Sequence, residues 1–295
     1  MKFELTDDQQ AFAEAITDLM RAAGSVAVAR SWSEGDHTGG QALWTRLADL
    51  GLTALVVPED DGGLGGTAVD LAVAFEVLGH ELAVGPWIES AALFPQLDGA
   101  MVTAAVPGLS PYAADAQVAR LLSGTAGATH ASIDSTRTLT EVSGADPVDP
   151  AAVDRAVLAC AAQLLGAGER VLADSVTYVK QRKQFGREIG SYQAIKHQLA
   201  DVRIALDFAR PLVHGAALGE IPVSAAKVYA GDAAYLAART GLQVHGAIGY
   251  TAEFDLSLWL NRIRALVTAW GTPAHHRGLV LEHLVSTGAD QKVGP

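Results

Sequence analysis

Apolar residues change their spacing twice along this chain, and the changes divide it into three parts. Behind a Thr6-x-x-Gln9 capping box, Phe12, Ile16, Leu19 and Met20 recur at helical intervals and predict an opening helix. Leu43, Leu47 and Leu50 predict a second helix stopped by Gly51, and Leu71, Phe75, Leu78 and Leu82 a third or fourth. Between them, "LGLTALVVPEDDGGLGG" is an apolar run ending in Pro58 and a glycine-rich loop. Residues 1–97 therefore read as an N-terminal helical domain. From 98 to 149 the helical period fades, while Gly, Ser, Thr, Ala and Pro accumulate around strand-like pieces such as "MVTAAV" and "TRTLTEV". That predicts a shortened middle β segment, too small for a generous core of its own.

Helical spacing returns at residue 150, with Asp149 as N-cap and Pro150 as first helical residue. Val157, Ala161, Leu164, Leu165, Gly168, Leu172, Val176 and Val179 form one apolar face of a long helix that runs to "QRKQFG". Ile195, Leu199, Val202 and Leu206 mark a second helix, residues 223–244 a third, and Leu256, Leu260, Ile263 and Val267 a fourth. Residues 150–295 thus read as a C-terminal four-helix bundle with a short terminal helix after Thr272 and Pro273, and the fold class is mainly α.

Composition narrows the function. The chain has 295 residues, 49% of them hydrophobic and 18% charged, which describes an ordered globular protein. A net charge of -12 with no dense Lys/Arg cluster excludes a nucleic-acid footprint. Arg182, Lys183 and Arg187 form the densest basic patch, enough for one phosphate-bearing small molecule. The single cysteine, Cys160, rules out an internal disulfide and fits a reducing compartment. The start "MKFELTDDQQ" has no signal-peptide pattern, and no uninterrupted apolar run spans a bilayer, so a cytoplasmic, membrane-free protein is expected.

Other chemistries find little to work with. His275, His276 and His283 lack the carboxylate that would close a metal set and read as exposed or interface histidines, so no metal is expected. The glycines of "GGLGG" lack the Lys-Ser/Thr of a phosphate loop and read as an interhelical turn. No Gly-x-Ser-x-Gly elbow supports a hydrolase.

Three stretches resemble the acyl-CoA dehydrogenase family. "LADLGLTALVVPEDDGGLGG" is similar to its N-terminal helical domain, and "YVKQRKQFGREIGSYQAIKHQLAD" and "QVHGAIGYTAEFDLSLWLNRIRAL" to the signature stretches of its four-helix bundle. A guanidinium at a helix end can fork onto a pyrophosphate, and glycines let backbone approach a ligand closely. The resemblance implies that Arg182, Gln184, Phe185, Gln193, Gln243, Gly246 and Ala247 contact FAD held mainly by a neighbouring subunit, so the cofactor is shared across a subunit interface. Ala247 stands where the family usually has Gly.

The same resemblance points to losses. Full-length members cover the flavin with a middle β-domain of about one hundred residues, carrying a Thr/Ser-rich loop and a Trp-x-x-Asn strand. Neither motif occurs in residues 98–149. The family's reaction needs a carboxylate within reach of the α proton of the thioester, yet its two usual places hold Trp270 and Ala156. Asp154 is a weak substitute, since two residues on a helix are a rotation of about 200°, and Glu169 reads as an exposed helix charge. "GTPA" replaces the usual Gly-Thr-Ser-Gln turn, leaving Thr272 as an N-cap.

Features donated to a neighbour's flavin survive while those of the chain's own site are missing. The expectation is a subunit of an FAD-dependent acyl-CoA dehydrogenase, converting acyl-CoA to 2,3-enoyl-CoA. It would pair with a full-length subunit in a hetro-oligomer and pass electrons to an electron-transfer flavoprotein or similar acceptor. The alternatives are a self-sufficient homodimer using a relocated base such as Asp154, and a flavin-free acyl-CoA-binding or structural protein.

Overall fold

The structure is a computed structural model that describes residues 4–290, so the outer limits at 1 and 295 lie outside the described residues. Helix α1 (Asp7–Ala23) opens on the expected capping box: Gln9 N donates to Thr6 Oγ1 at 3.2 Å and Thr6 N to Gln9 Oε1 at 3.0 Å. Gly24, at φ 67°, turns the chain into α2 (Ser25–Ser33). The apolar spacing did not predict this helix, because its buried residues are Ser25, Ala29 and Trp32, which carry only one large apolar group. α3 (Thr38–Asp49) buries Leu43, Trp44 and Leu47. The helix marked by Leu71 is therefore the fourth, α4 (Ala68–His80), opened by a second capping box of Thr67 and Asp70. The glycines of residues 62–66 lie in the loop before it.

Residues 98–149 hold five short strands. β1 (Val102–Thr103) pairs in parallel with β3 (Arg120–Leu121). β2 (Tyr112–Ala114), β5 (Thr138–Ser143) and β4 (Thr125–Ala131) form an antiparallel sheet in that order. Every residue of β4 is exposed, so the sheet has no second layer on that strand.

The long helix α5 (Pro150–Gln181) starts with Asp149 Oδ1 accepting from Ala151 N and Pro150 at its first position. It packs against α4, α6 (Gln193–Ala217), α7 (Val223–His245) and α8 (Leu256–Thr268). The sequence predicts one apolar face, but the helix is buried at every residue from 156 to 168, because neighbours surround it. α5 is long and apolar enough to cross a membrane, yet 83% of its apolar window is buried inside the protein, as in a core helix. The terminal helix α9 (Pro273–Asp290) has 18 residues, longer than the 13 of α8, so the expected short helix is corrected.

Two side chains of α8 tie the three regions together. Trp259 Nε1 donates to the carbonyls of Gly79 and His80 at 3.2 and 3.1 Å, at the end of α4. Buried Arg262 donates to Ala83 O at 2.9 Å, to Thr136 Oγ1 at 2.7 Å and to Asp134. Burial pushes Asp134 upward, but the Arg262 charge and the Thr136 hydrogen bond outweigh it and hold the carboxyl below its usual range. One guanidinium thus fixes the β4–β5 turn and the exit of α4 to the bundle.

Candidate functional site

The first candidate region is the turn between α8 and α9. Thr268 ends α8, and Trp270 and Gly271 take positive φ of 56° and 97° to reverse the chain. Thr272 Oγ1 then caps α9 by accepting from His275 N at 3.2 Å, as the sequence predicts. Lys227, buried on α7, donates to the carbonyls of Leu266 and Val267 at 2.9 and 3.1 Å, and burial lowers its pKa. His276 is not an exposed histidine but a buried one: Nε2 meets Trp270 O at 2.7 Å and Nδ1 meets Ser224 Oγ at 2.9 Å. A carbonyl can only accept, so Nε2 carries the proton and Nδ1 accepts from the Ser224 hydroxyl. Burial lowers His276 and outweighs the bond to Trp270, which keeps the ring neutral.

Trp270 is 1% exposed and walls a cavity of about 460 Å³ between the end of α8 and the β2–β5–β4 sheet. Ala156 is fully buried in α5. Neither residue can accept a proton. Asp154 is exposed and does not line the Trp270 cavity, and burial raises its pKa only through partial desolvation. The carboxylate that does line the cavity is Glu89, from the six-residue π-helical turn Ile88–Leu93. Its burial raises its pKa, against the opposing charge of Arg137, 3.9 Å away. Sequence reading missed Glu89 because its spatial partners are scattered over residues 89–270; a charged residue inside an apolar run was the available signal.

The second region is the opposite kind of surface, an exposed end of the bundle. Arg182 caps α5, its N–H donating to Tyr178 O at 2.9 Å, and the chain then forms a tight hairpin of β6 (Lys183–Gln184) and β7 (Arg187–Glu188). Phe185 and Gly186 make the turn with positive φ of 53° and 79°, the pattern of a two-residue hairpin loop. Phe185 is 91% exposed. Arg187 stacks over Tyr192 at 3.9 Å, and Tyr192 Oη donates to Gln184 O at 3.4 Å, which braces the hairpin. Gln193 follows as the first residue of α6, with its side chain exposed.

Tyr178 joins this hairpin to the end of α7. Its ring stacks on His245 at 4.2 Å, and its hydroxyl donates to His245 O at 3.5 Å. Gly246 follows with φ 61° and ψ -138°, backbone that favours glycine, and a Cβ there would meet nothing within 4 Å. Gln243 and Gly246 line an open groove of about 610 Å³. Ala247 is exposed, so its methyl displaces no neighbour. The structure thus brings Gln243 and Gly246 into one groove and sets the Arg182 hairpin and Gln193 at the same bundle end, outside the groove lining. Arg239 and Tyr250 also line it and were not singled out from sequence; Arg239 sits one turn before Gln243, a spacing that puts both on one face.

An open groove, a donor-rich hairpin and a glycine free of steric cover fit a large, flat, phosphate-bearing cofactor such as FAD. Among the described residues no group of three His, Cys, Asp or Glu could hold a metal ion. Glu169, expected to be an exposed charge, is instead held between Arg203, at 2.7 Å, and Arg210, also at 2.7 Å. These bonds outweigh the upward push of its partial burial and lower its pKa, so it is an ion-pair member linking α5 to α6.

Comparison with known proteins shows the family. The acyl-CoA dehydrogenase N-terminal domain matches residues 6–127 and the C-terminal domain residues 151–285. The chain is 31% identical over 290 residues to the acyl-CoA dehydrogenase IpdE2 of Mycobacterium tuberculosis, covering 87% of this chain and 91% of that one. Its fold superposes on the ChsE4-ChsE5 complex from Mycobacterium tuberculosis with a TM-score of 0.78 at 21% identity, covering 100% of both chains. It also superposes on the Tcur3481-Tcur3483 steroid ACAD with 0.77 at 20%, covering 96% and 99%. Helical domain, reduced sheet and bundle, with both family domains matched in order, make this chain a member of the acyl-CoA dehydrogenase family, whose members bind FAD.

Proposed function

We propose that this chain is the non-catalytic subunit of a two-chain acyl-CoA dehydrogenase. It completes the FAD site of a full-length partner and has no base of its own, and the assembly oxidises an acyl-CoA to a 2,3-enoyl-CoA. The observation that carries this reading is a contrast in exposure: Phe185, in the stretch donated to a neighbour, is 91% exposed, while Trp270, in the place of a base, is 1% exposed. In this reading Arg182 forks onto the FAD pyrophosphate, while Gln184, Phe185 and Gln193 hold polar and flat parts of the cofactor. Gln243, Gly246 and Ala247 give it a close backbone approach. FAD, when bound, supplies the hydride acceptor, and an electron-transfer flavoprotein or similar acceptor takes the electrons onward.

Exposed apolar side chains support a subunit interface. Ile204 and Phe208 of α6, Tyr229 and Leu236 of α7, and Leu281 and Leu284 of α9 all face solvent. The likeness to ChsE4-ChsE5 and to a steroid ACAD pair favours a bulky acyl group such as a steroid CoA ester as substrate. A self-sufficient homodimer would have to draw on Glu89, the carboxylate lining the Trp270 cavity, instead of Asp154.

The test is the visible spectrum of the chain purified alone and after co-expression with a full-length acyl-CoA dehydrogenase encoded beside it. The expected result is colourless protein alone and a yellow complex, with Arg182→Ala in the complex weakening flavin retention by roughly tenfold or more, the worth of a charge-assisted hydrogen bond. Stoichiometric flavin in the lone chain would overturn the reading.

A further inference from the structure

We propose that the cavity behind Trp270 binds a neutral, largely apolar small molecule bearing a hydroxyl group, with that hydroxyl against Glu89. The proposal needs neither flavin nor the donated half-site. At about 460 Å³ the cavity has the size of a small-molecule site. Leu109, Pro111, Ile133, Leu139 and Trp270 give it apolar walls. Glu89 lines it at 2% exposure, and one of its carboxyl oxygens, Oε2, is buried with no hydrogen-bond partner. Such an oxygen is costly to leave unpaired.

Charge selects the ligand. Three charged residues line the cavity: Glu89 and Arg137 face each other at 3.9 Å in its buried part, one charge of each sign, and Arg264 is exposed. Burial raises Glu89 against the opposing charge of Arg137. A ligand charge of either sign would upset that balance. A hydroxyl suits a carboxyl in either protonation state, because it donates to a carboxylate and accepts from a carboxylic acid.

The experiment is calorimetric titration of the full chain with three molecules sharing one cage: 1-adamantanol, 1-adamantylamine and 1-adamantanecarboxylate. The alcohol is expected to bind at least tenfold more tightly than either ion. Glu89→Leu should weaken alcohol binding about tenfold, the worth of one hydrogen bond. Leu139→Trp, which fills the cavity from β5 and keeps Glu89, should abolish it. If Glu89→Leu does not fold by circular dichroism, Leu139→Trp and the three-ligand series on the wild type decide alone. Absence of alcohol binding, tighter binding of an ion, or full affinity in folded Glu89→Leu or in Leu139→Trp would overturn the proposal. Binding that persists in Arg182→Ala separates this result from the flavin reading.

Discussion

Phe185 and Trp270 are both large aromatic residues in left-handed backbone, at φ 53° and 56°, and their surroundings are opposite. For a residue with a Cβ this conformation costs about 1–2 kcal/mol. At Trp270 the cost is offset within the chain by burial and by His276, which holds its carbonyl. At Phe185 the ring is 91% exposed, so burial among the described residues does not offset the cost. Trp270 was legible in sequence from its place just before the Gly-Thr-Pro turn, and Ala156 from ungapped counting back from the Phe185-Gly186 pair, and neither side chain can accept a proton. The Glu89–Arg137 pair was not legible there, because only folding brings a π-helical turn, a hairpin and the end of α8 together.

His276 carries a pH prediction. Burial lowers its pKa, so the unfolded chain takes up a proton near pH ~6.5 while the native ring does not, and stability conferred by this residue is lost as pH falls through that value. Buried His214 and His245 act in the same sense, and Glu89 and Asp115, both raised by burial, in the opposite one. Comparing wild type with His276→Gln isolates the one ring. The difference in urea midpoint between them should narrow from about pH 7.5 to about pH 5.5. A constant difference would contradict the burial argument.

At the scale of elements, α4 and α5 meet backbone to backbone. A Cβ on Gly166 would run into the carbonyl of Glu76, and one on Gly79 into the carbonyl of Gln163. Helix propensity alone says Gly166→Ala should stabilise α5 by up to about 1 kcal/mol. The crossing says the reverse: overpacking should destabilise the chain by about 1–3 kcal/mol, read as a lower denaturant midpoint. A raised midpoint would show that the two helices can part without cost. Long amphipathic helices and both ends of the α8–α9 turn were readable from spacing and caps. α2 was not, having a single large apolar anchor, and the full burial of α5 depends on neighbours that periodicity within one helix does not reveal.

At the scale of the whole molecule, hydrogen bonds from Arg262 and Trp259 of α8 join the bundle to the exit of α4 and to the β4–β5 turn. The mainly α fold was legible because most of its elements announce their own period. The proposed half-site was legible only in part: the sequence shows which motif residues remain, and the fold leaves Arg182, Gln184, Phe185 and Gln193 exposed. The proposed role is that this chain gives to a flavin site and owns none. The most direct measurement is the ratio of flavin to protein in the purified complex, from visible absorbance and subunit mass. One flavin for each pair of one such chain and one partner is the expected result. Two flavins per pair would mean that this chain houses a cofactor of its own.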